Sequence, residues 1–184
     1  QQFFDAFELA RKCGFDNINT DLIAGLPTDT TESFKNSLDS IVRLNAECIT
    51  VHTLCMKRAS RLTTEGVTLD LQQARDAREM LAYTQNVLGQ NEYIPYYMYR
   101  QSRMVGNLEN VGWSKRGFES LYNVYVMDET HTILACGSGG VTKLKRNNPD
   151  YLERIFNFKY PYEYIDRFDE LIQRKSGIMQ FYGQ

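Results

Sequence analysis

GFDNINTDLIAGLP, from Gly14 to Pro27, decides the fold. Its centre suits a buried strand, in which alternation sends Asn19, Asp21 and Ile23 to one side and Ile18, Thr20 and Leu22 to the other. Gly25 and Pro27 end the strand. Upstream, Phe3, Phe7 and Ala10 share one helical stripe and Gly14 is placed to stop the helix. A chain that opens inside a helix reads as a piece of a longer one. Downstream, Asp29 with Glu32 three residues later is a capping signal for a helix with the stripe Phe34, Leu38, Ile41 and Val42. A second β-rich run, CITVHTLCMK from Cys48 to Lys57, completes strand, helix, strand. That order predicts parallel neighbours joined by a right-handed crossover. Functional groups then gather at the C-terminal ends of the strands, around Gly25 to Thr28 and Leu54 to Arg61.

From about Asp70 to Leu88 a long helix carries Ala74, Ala77, Leu81, Thr84 and Leu88 on one face, with Gly89 as its stop. The character then changes. YIPYYMYR is an aromatic strand, MVGNLENVGW a connector, and LYNVYVM with THTILAC a hairpin turning at Asp128 and Glu129. The tail reads as a β-like YLERIFNF and a helix from Pro161 that packs Tyr164, Ile165, Phe168, Leu171 and Ile172 on the sheet. The expected fold class is α/β, with one region over residues 1–90 and a smaller α+β domain over 91–184.

Lys+Arg 21 against Asp+Glu 23 leaves a formal charge of -2, so no global positive field draws the chain to nucleic acid or to an anionic membrane. No apolar run approaches the roughly 20 residues of a membrane-spanning helix, and the N-terminus lacks the regions of a signal peptide. A cytoplasmic protein is the default expectation. Cys13, Cys48, Cys55 and Cys136 are widely spaced, without a CxxC pair, and by themselves nominate no metal site. Reduced, mostly buried thiols are expected. His52 and Cys55 fall short of a four-ligand site, and strand alternation would point them to opposite faces.

GFDNINTDLIAGLP and ITVHTLCMKRASRL together resemble the late barrel strands of the HemN-like radical S-adenosylmethionine (SAM) family, in which D-L-I-x-G-L-P is characteristic. YYMYRQSRMVGNLENVGW and CGSGGVTKL extend the likeness toward the HemZ branch, the oxygen-independent coproporphyrinogen III oxidases or coproporphyrinogen dehydrogenases. The resemblance implies the C-terminal part of a partial (β/α) radical SAM barrel followed by the smaller domain. It implies SAM and a 4Fe-4S cluster as cofactors of the full-length protein. The cluster's C-x-x-x-C-x-x-C loop is absent from this sequence, so the piece alone is expected not to turn over. The implied substrate is a porphyrinogen. In the family a SAM-derived radical removes hydrogen from a propionate, and loss of carbon dioxide and an electron leaves a vinyl group.

By this resemblance Asp21 matches the aspartate that makes a polar contact with SAM, and Ile23 matches an apolar wall of the adenosine pocket. Gly25 allows backbone to approach a ligand, Cys55 sits where backbone groups meet the adenine edge, and Val141 follows the glycine turn Gly137 to Gly140 that closes the family's site. The plainer alternatives are a carboxylate holding a neighbouring loop and a simple glycine turn. The family more often has alanine, then histidine or isoleucine, where this chain has Gly140 and Val141. Arg58, Arg61, Arg100 and Arg103 are candidates for gripping propionates, because a guanidinium fits a carboxylate bidentately. Tyr96, Tyr97 and Tyr99 suit either a flat wall for a tetrapyrrole or core packing, the commoner use of alternate aromatics. Two other functions remain open from sequence: tetrapyrrole binding without oxidation, as in the haem-chaperone relatives, and a non-catalytic α/β interaction domain.

Overall fold

The computed structural model describes residues 1–55, 71–100, 104–147 and 150–183. Two compact units divide the chain, Gln1–Ser120 and Leu121–Gln184. The boundary expected near residue 90 therefore falls after Ser120. The aromatic strand and the connector behind it stay with the first unit because they complete its sheet.

In the first unit, helix α1 (Gln2–Lys12) leads into strand β1 (Asn19–Ala24), helix α2 (Thr31–Arg43) and strand β2 (Cys48–Thr53). Helix α3 (Leu71–Gln90), strand β3 (Ile94–Tyr99), a 3-10 turn at Val105–Asn107 and strand β4 (Asn110–Ser114) follow. The sheet order is β1-β2-β4-β3. β1 and β2 are parallel, with Asp21 opposite Thr50 and Ile23 opposite His52, as strand, helix, strand predicts. β4 runs antiparallel to both β2 and β3.

One sheet face is packed under α2 and α3. Phe34, Leu38 and Ile41 of α2, Met80 and Leu88 of α3, and Ile49, Val51 and Trp113 of the sheet form this core. Burial of these side chains is the main stabilising term, on the order of 2 kcal/mol for each large apolar one. At the N-terminus of α2 the cap is Thr30, not the expected Asp29. The Thr30 hydroxyl accepts from the Ser33 N–H at 3.1 Å, while Asp29 Oδ1 accepts from the Thr30 N–H at 2.9 Å. Glu47 ties the loop between α2 and β2 to α1. Its carboxylate accepts from Arg11 at 2.7 and 2.8 Å and from the Ile18 N–H at 3.0 Å.

The second unit contains helix α4 (Leu121–Asp128), strands β5 (Val141–Asn147) and β6 (Asp150–Phe156), and helices α5 (Pro161–Asp166), α6 (Phe168–Lys175) and α7 (Gly177–Tyr182). The expected hairpin of LYNVYVM with THTILAC is not formed. β5 takes β6 as its partner over seven positions, and THTILAC offers only the bridge Ile133–Lys143. Without a ladder to join, Leu121–Asp128 satisfies its backbone internally as a helix, despite its β-branched and aromatic content. The tail helix is also broken into three short pieces. Leu171 is buried, whereas Ile165, Phe168 and Ile172 are exposed, so most of the expected stripe faces solvent. Among the described residues no helix is long and apolar enough to cross a membrane.

Candidate functional site

Because β1 alternates, burying Thr20 and Ala24 under the helices leaves Asn19, Asp21 and Ile23 on the opposite, exposed side. The same alternation puts Thr50 and His52 of β2 there beside Asp21 and Ile23. Tyr97 and Tyr99 of β3 reach over from the far edge, which requires the strand between them and β2 to be bare. Gly112 of β4 supplies this: a Cβ there would lie 1.9 Å from Tyr97 Cε1.

The result is a continuous polar chain across the face. Tyr97 Oη lies 3.2 Å from Thr50 Oγ1, which donates to Asn19 Oδ1 at 3.0 Å. Asn19 Nδ2 donates to Asp21 Oδ1 at 2.7 Å. His52 Nε2 stands 3.6 Å from Asp21 Oδ2, and its Nδ1 is 3.2 Å from Tyr99 Oη. His52 thus bridges the Asp21 carboxylate and the Tyr99 phenol. His52 is the main cause that holds the Asp21 carboxyl below the usual carboxylate range; burial works against it and Asn19 reinforces it. Burial pushes the Tyr97 and Tyr99 phenols up, so both remain protonated donors at neutral pH. Their rings are parallel within 9°, with centroids 6.4 Å apart.

Asp21 and Ile23 share the open face, and Ile23 is 42% exposed. Gly25 and Cys55 follow the C-terminal ends of β1 and β2, which are tied by Leu54 N–H donating to Ala24 O at 2.9 Å. Gly25 has a φ of +83°, and a Cβ on it would stand 3.2 Å from that of Ala77. Its N–H donates to Met80 Sδ at 3.3 Å, so close helix packing accounts for this glycine. Cys55 bridges Met104. Arg100 pairs with Glu109 at 2.7 Å and lines a cavity on the α3 side, away from the Asp21 face. Arg58, Arg61 and Arg103 lie outside the described residues. Val141 lies in the second unit as the first residue of β5. There the preceding turn is held internally: Gly139 N–H donates to Phe158 O at 2.7 Å and Asn157 Nδ2 to Gly137 O at 2.8 Å.

Of the thiols, Cys48 is buried and donates to Phe118 O at 3.1 Å, with burial pushing its pKa up. Cys13 and Cys136 are exposed, contrary to the expectation of mostly buried cysteines, because one caps the outside of α1 and the other lies in a surface loop. From sequence Asn19 and Thr50 had no site role, and His52 was weighed only as a metal ligand. Their parallel register with Asp21 is the signal that could have found them.

The sequence as a whole matches a small set of known proteins. The oxygen-independent coproporphyrinogen-III oxidase-like protein HemZ of Bacillus subtilis is 35% identical over 180 residues, 98% of this chain. The chain is a homologue of HemZ. It spans 36% of HemZ, about a third of that relative's own length. The HemZ homologue is also 29% identical over 156 residues to the heme chaperone HemW of Lactococcus lactis, covering 80% of this chain and 37% of that one. Its fold matches the coproporphyrinogen III oxidase HemN of Escherichia coli, a radical SAM enzyme, with a TM-score of 0.60 at 18% identity, over 91% of this chain and 37% of HemN. That likeness shows the fold. No family model matches the chain.

Proposed function

We propose that this chain forms one flank of the SAM pocket of a radical SAM oxidoreductase that converts propionates of coproporphyrinogen III to vinyl groups. The observation that carries the reading is Asp21, ionised and 58% open on its side chain, fixed by Asn19 and His52 on the exposed sheet face of a HemZ homologue. Its remaining lone pairs suit the hydroxyl or ammonium groups of SAM, so these residues fit that cofactor. Ile23 supplies apolar contact for the adenosine, and Gly25 and Cys55 offer backbone groups at the strand ends. Tyr97 and Tyr99 give a flat wall for the tetrapyrrole, and Arg58, Arg61 and Arg103 are the candidates for its propionates. Bound SAM with a reduced cluster supplies a carbon radical; the chain orients the reactants and excludes water.

Among the described residues no group of three or more His, Cys, Asp or Glu stands close enough to hold a metal. The share of the work we assign to this chain is cofactor and substrate placement.

The HemW match favours a second reading, tetrapyrrole binding without oxidation. The discriminating experiment is anaerobic reconstitution of the full-length protein carrying this sequence, with cluster and SAM. Conversion of coproporphyrinogen III to protoporphyrinogen IX is the expected outcome. SAM cleavage with no decarboxylation, or haem binding with neither, would overturn the oxidase assignment.

A further inference from the structure

Thr50 stands on β2 between Ile49 and Val51 and is only 1% exposed. Valine would fill the same space and suits a buried strand at least as well, so the hydroxyl is a cost unless it is hydrogen-bonded. Its bonds have a direction. Thr50 has a single hydroxyl proton, which goes to Asn19 Oδ1 at 3.0 Å, so Tyr97 Oη at 3.2 Å is the donor to Thr50 Oγ1. Burial keeps the Tyr97 phenol protonated, as that role requires. The Asn19 amide, with its oxygen turned to Thr50, presents Nδ2 to Asp21 Oδ1 at 2.7 Å. Every link from Tyr97 onward therefore donates toward the carboxylate, which when ionised can only accept. Bonds aligned in this way polarise one another, so the last is stronger than an isolated amide–carboxylate bond. The opposite oxygen, Oδ2, has the longer approach of His52 at 3.6 Å. His52 is the largest influence holding the Asp21 carboxyl ionised, and Asn19 and Thr50 act in the same direction.

We propose that Tyr97, Thr50 and Asn19 are positioning residues that fix the Asp21 carboxylate for SAM, an inference that rests on the reading of the open face as the SAM pocket. Asn19 alone is an exposed side chain. The buried Thr50 hydroxyl, held by Tyr97 across the bare Gly112, locks the Asn19 amide with its N–H toward the carboxylate. Asp21 Oδ1 is thereby pinned, and its outward lone pairs meet the ligand without first giving up rotational freedom. The ring of Tyr97 and its hydroxyl have separate tasks: the ring lies on the open face, and the hydroxyl heads the donor chain.

Equilibrium binding of SAM to the full-length protein with reconstituted cluster, measured without turnover, tests this. Thr50→Val and Asn19→Ala should each weaken SAM by about threefold to fivefold, Tyr97→Phe by less, and Thr50→Ser should restore the wild-type affinity. In an Asp21→Ala background the same substitutions should have no further effect, because no carboxylate is left to position. A loss through general damage to the sheet would persist there. In protein without SAM the Asp21 carboxyl, followed by its ¹³C resonance, should titrate higher in Asn19→Ala than in wild type, since a donor to the ionised form is gone. Three results would overturn the proposal: wild-type affinity in Thr50→Val and Asn19→Ala while Asp21→Ala binds weakly, losses undiminished in the Asp21→Ala background, or an Asp21 titration that Asn19→Ala does not raise. Unchanged affinity in Asp21→Ala itself would remove the SAM reading, and this inference with it.

Discussion

Gly112→Ala tests the packing that builds the open face. The new Cβ would sit 1.9 Å from Tyr97 Cε1 and 2.4 Å from Cδ1. Carbon atoms in contact stand about 3.5 Å apart, so the ring must retreat by roughly 1.6 Å, leaving its rotamer or shifting the strand. That retreat also breaks the approach of Tyr97 Oη to Thr50 Oγ1 at 3.2 Å. Overpacking of this kind costs about 1–3 kcal/mol, against which alanine recovers about 0.5–1 kcal/mol of glycine's strand penalty. A net loss of roughly 1–2 kcal/mol is expected. In a Tyr97→Ala background the obstruction is gone, and Gly112→Ala should be neutral or stabilising by about 0.5 kcal/mol. Urea unfolding followed by Trp113 fluorescence, which reports on the first unit, measures both arms of the cycle. Equal effects of Gly112→Ala in the two backgrounds would refute the claim that the Tyr97 ring requires this glycine.

Glu47 sets the acid stability of the first unit. Burial alone would raise its pKa, but the Arg11 guanidinium and the Ile18 N–H more than reverse this, so the folded value is depressed. Its contribution is complete above the ordinary glutamate pKa of about 4.3 and is lost as pH falls through the lower folded value. Unfolding monitored against pH should therefore show a decline below about pH 4.3 that Glu47→Gln flattens. At neutral pH Glu47→Ala should cost about 1–2 kcal/mol, since it removes the acceptor of the Ile18 N–H and of Arg11, which keeps the Phe15 and Asn45 carbonyls. Thr30→Ala should cost about 1 kcal/mol through loss of the α2 cap, whereas Asp29→Ala should cost less; chemical denaturation ranks the two.

The parallel pair at the heart of the first unit was legible because β1 and β2 carry strong, local signals: alternation, a glycine-proline stop and an amphipathic helix between them. Asp21 stood out for the same reason, as a carboxylate on an otherwise apolar strand. His52 did not, because its meaning lies in register. Only when β1 and β2 are paired with Ile23 opposite His52 does the imidazole come to the Asp21 carboxylate. Tyr97 and Tyr99 were ambiguous for a related reason. Their alternation is equally that of core residues, and what turns them to the open face is the bare Gly112 on a strand thirteen or more positions later. In the second unit LYNVYVM misled because its composition favours a strand, while its conformation follows from β5 having chosen β6. Such competition between partners is invisible within a seven-residue window. The fracture of the tail into α5, α6 and α7 is of the same kind.

SAM binding by full-length protein with reconstituted cluster, compared between wild type and Asp21→Ala, tests the central claim most directly. Asp21→Ala should weaken SAM by tenfold or more, the loss of a charge-assisted hydrogen bond, while the cluster's iron content and spectrum stay unchanged. His52→Ala should weaken it less, because Asn19 still holds the carboxylate. Unchanged SAM affinity in Asp21→Ala with an intact cluster would contradict the assignment of the open face as the SAM pocket.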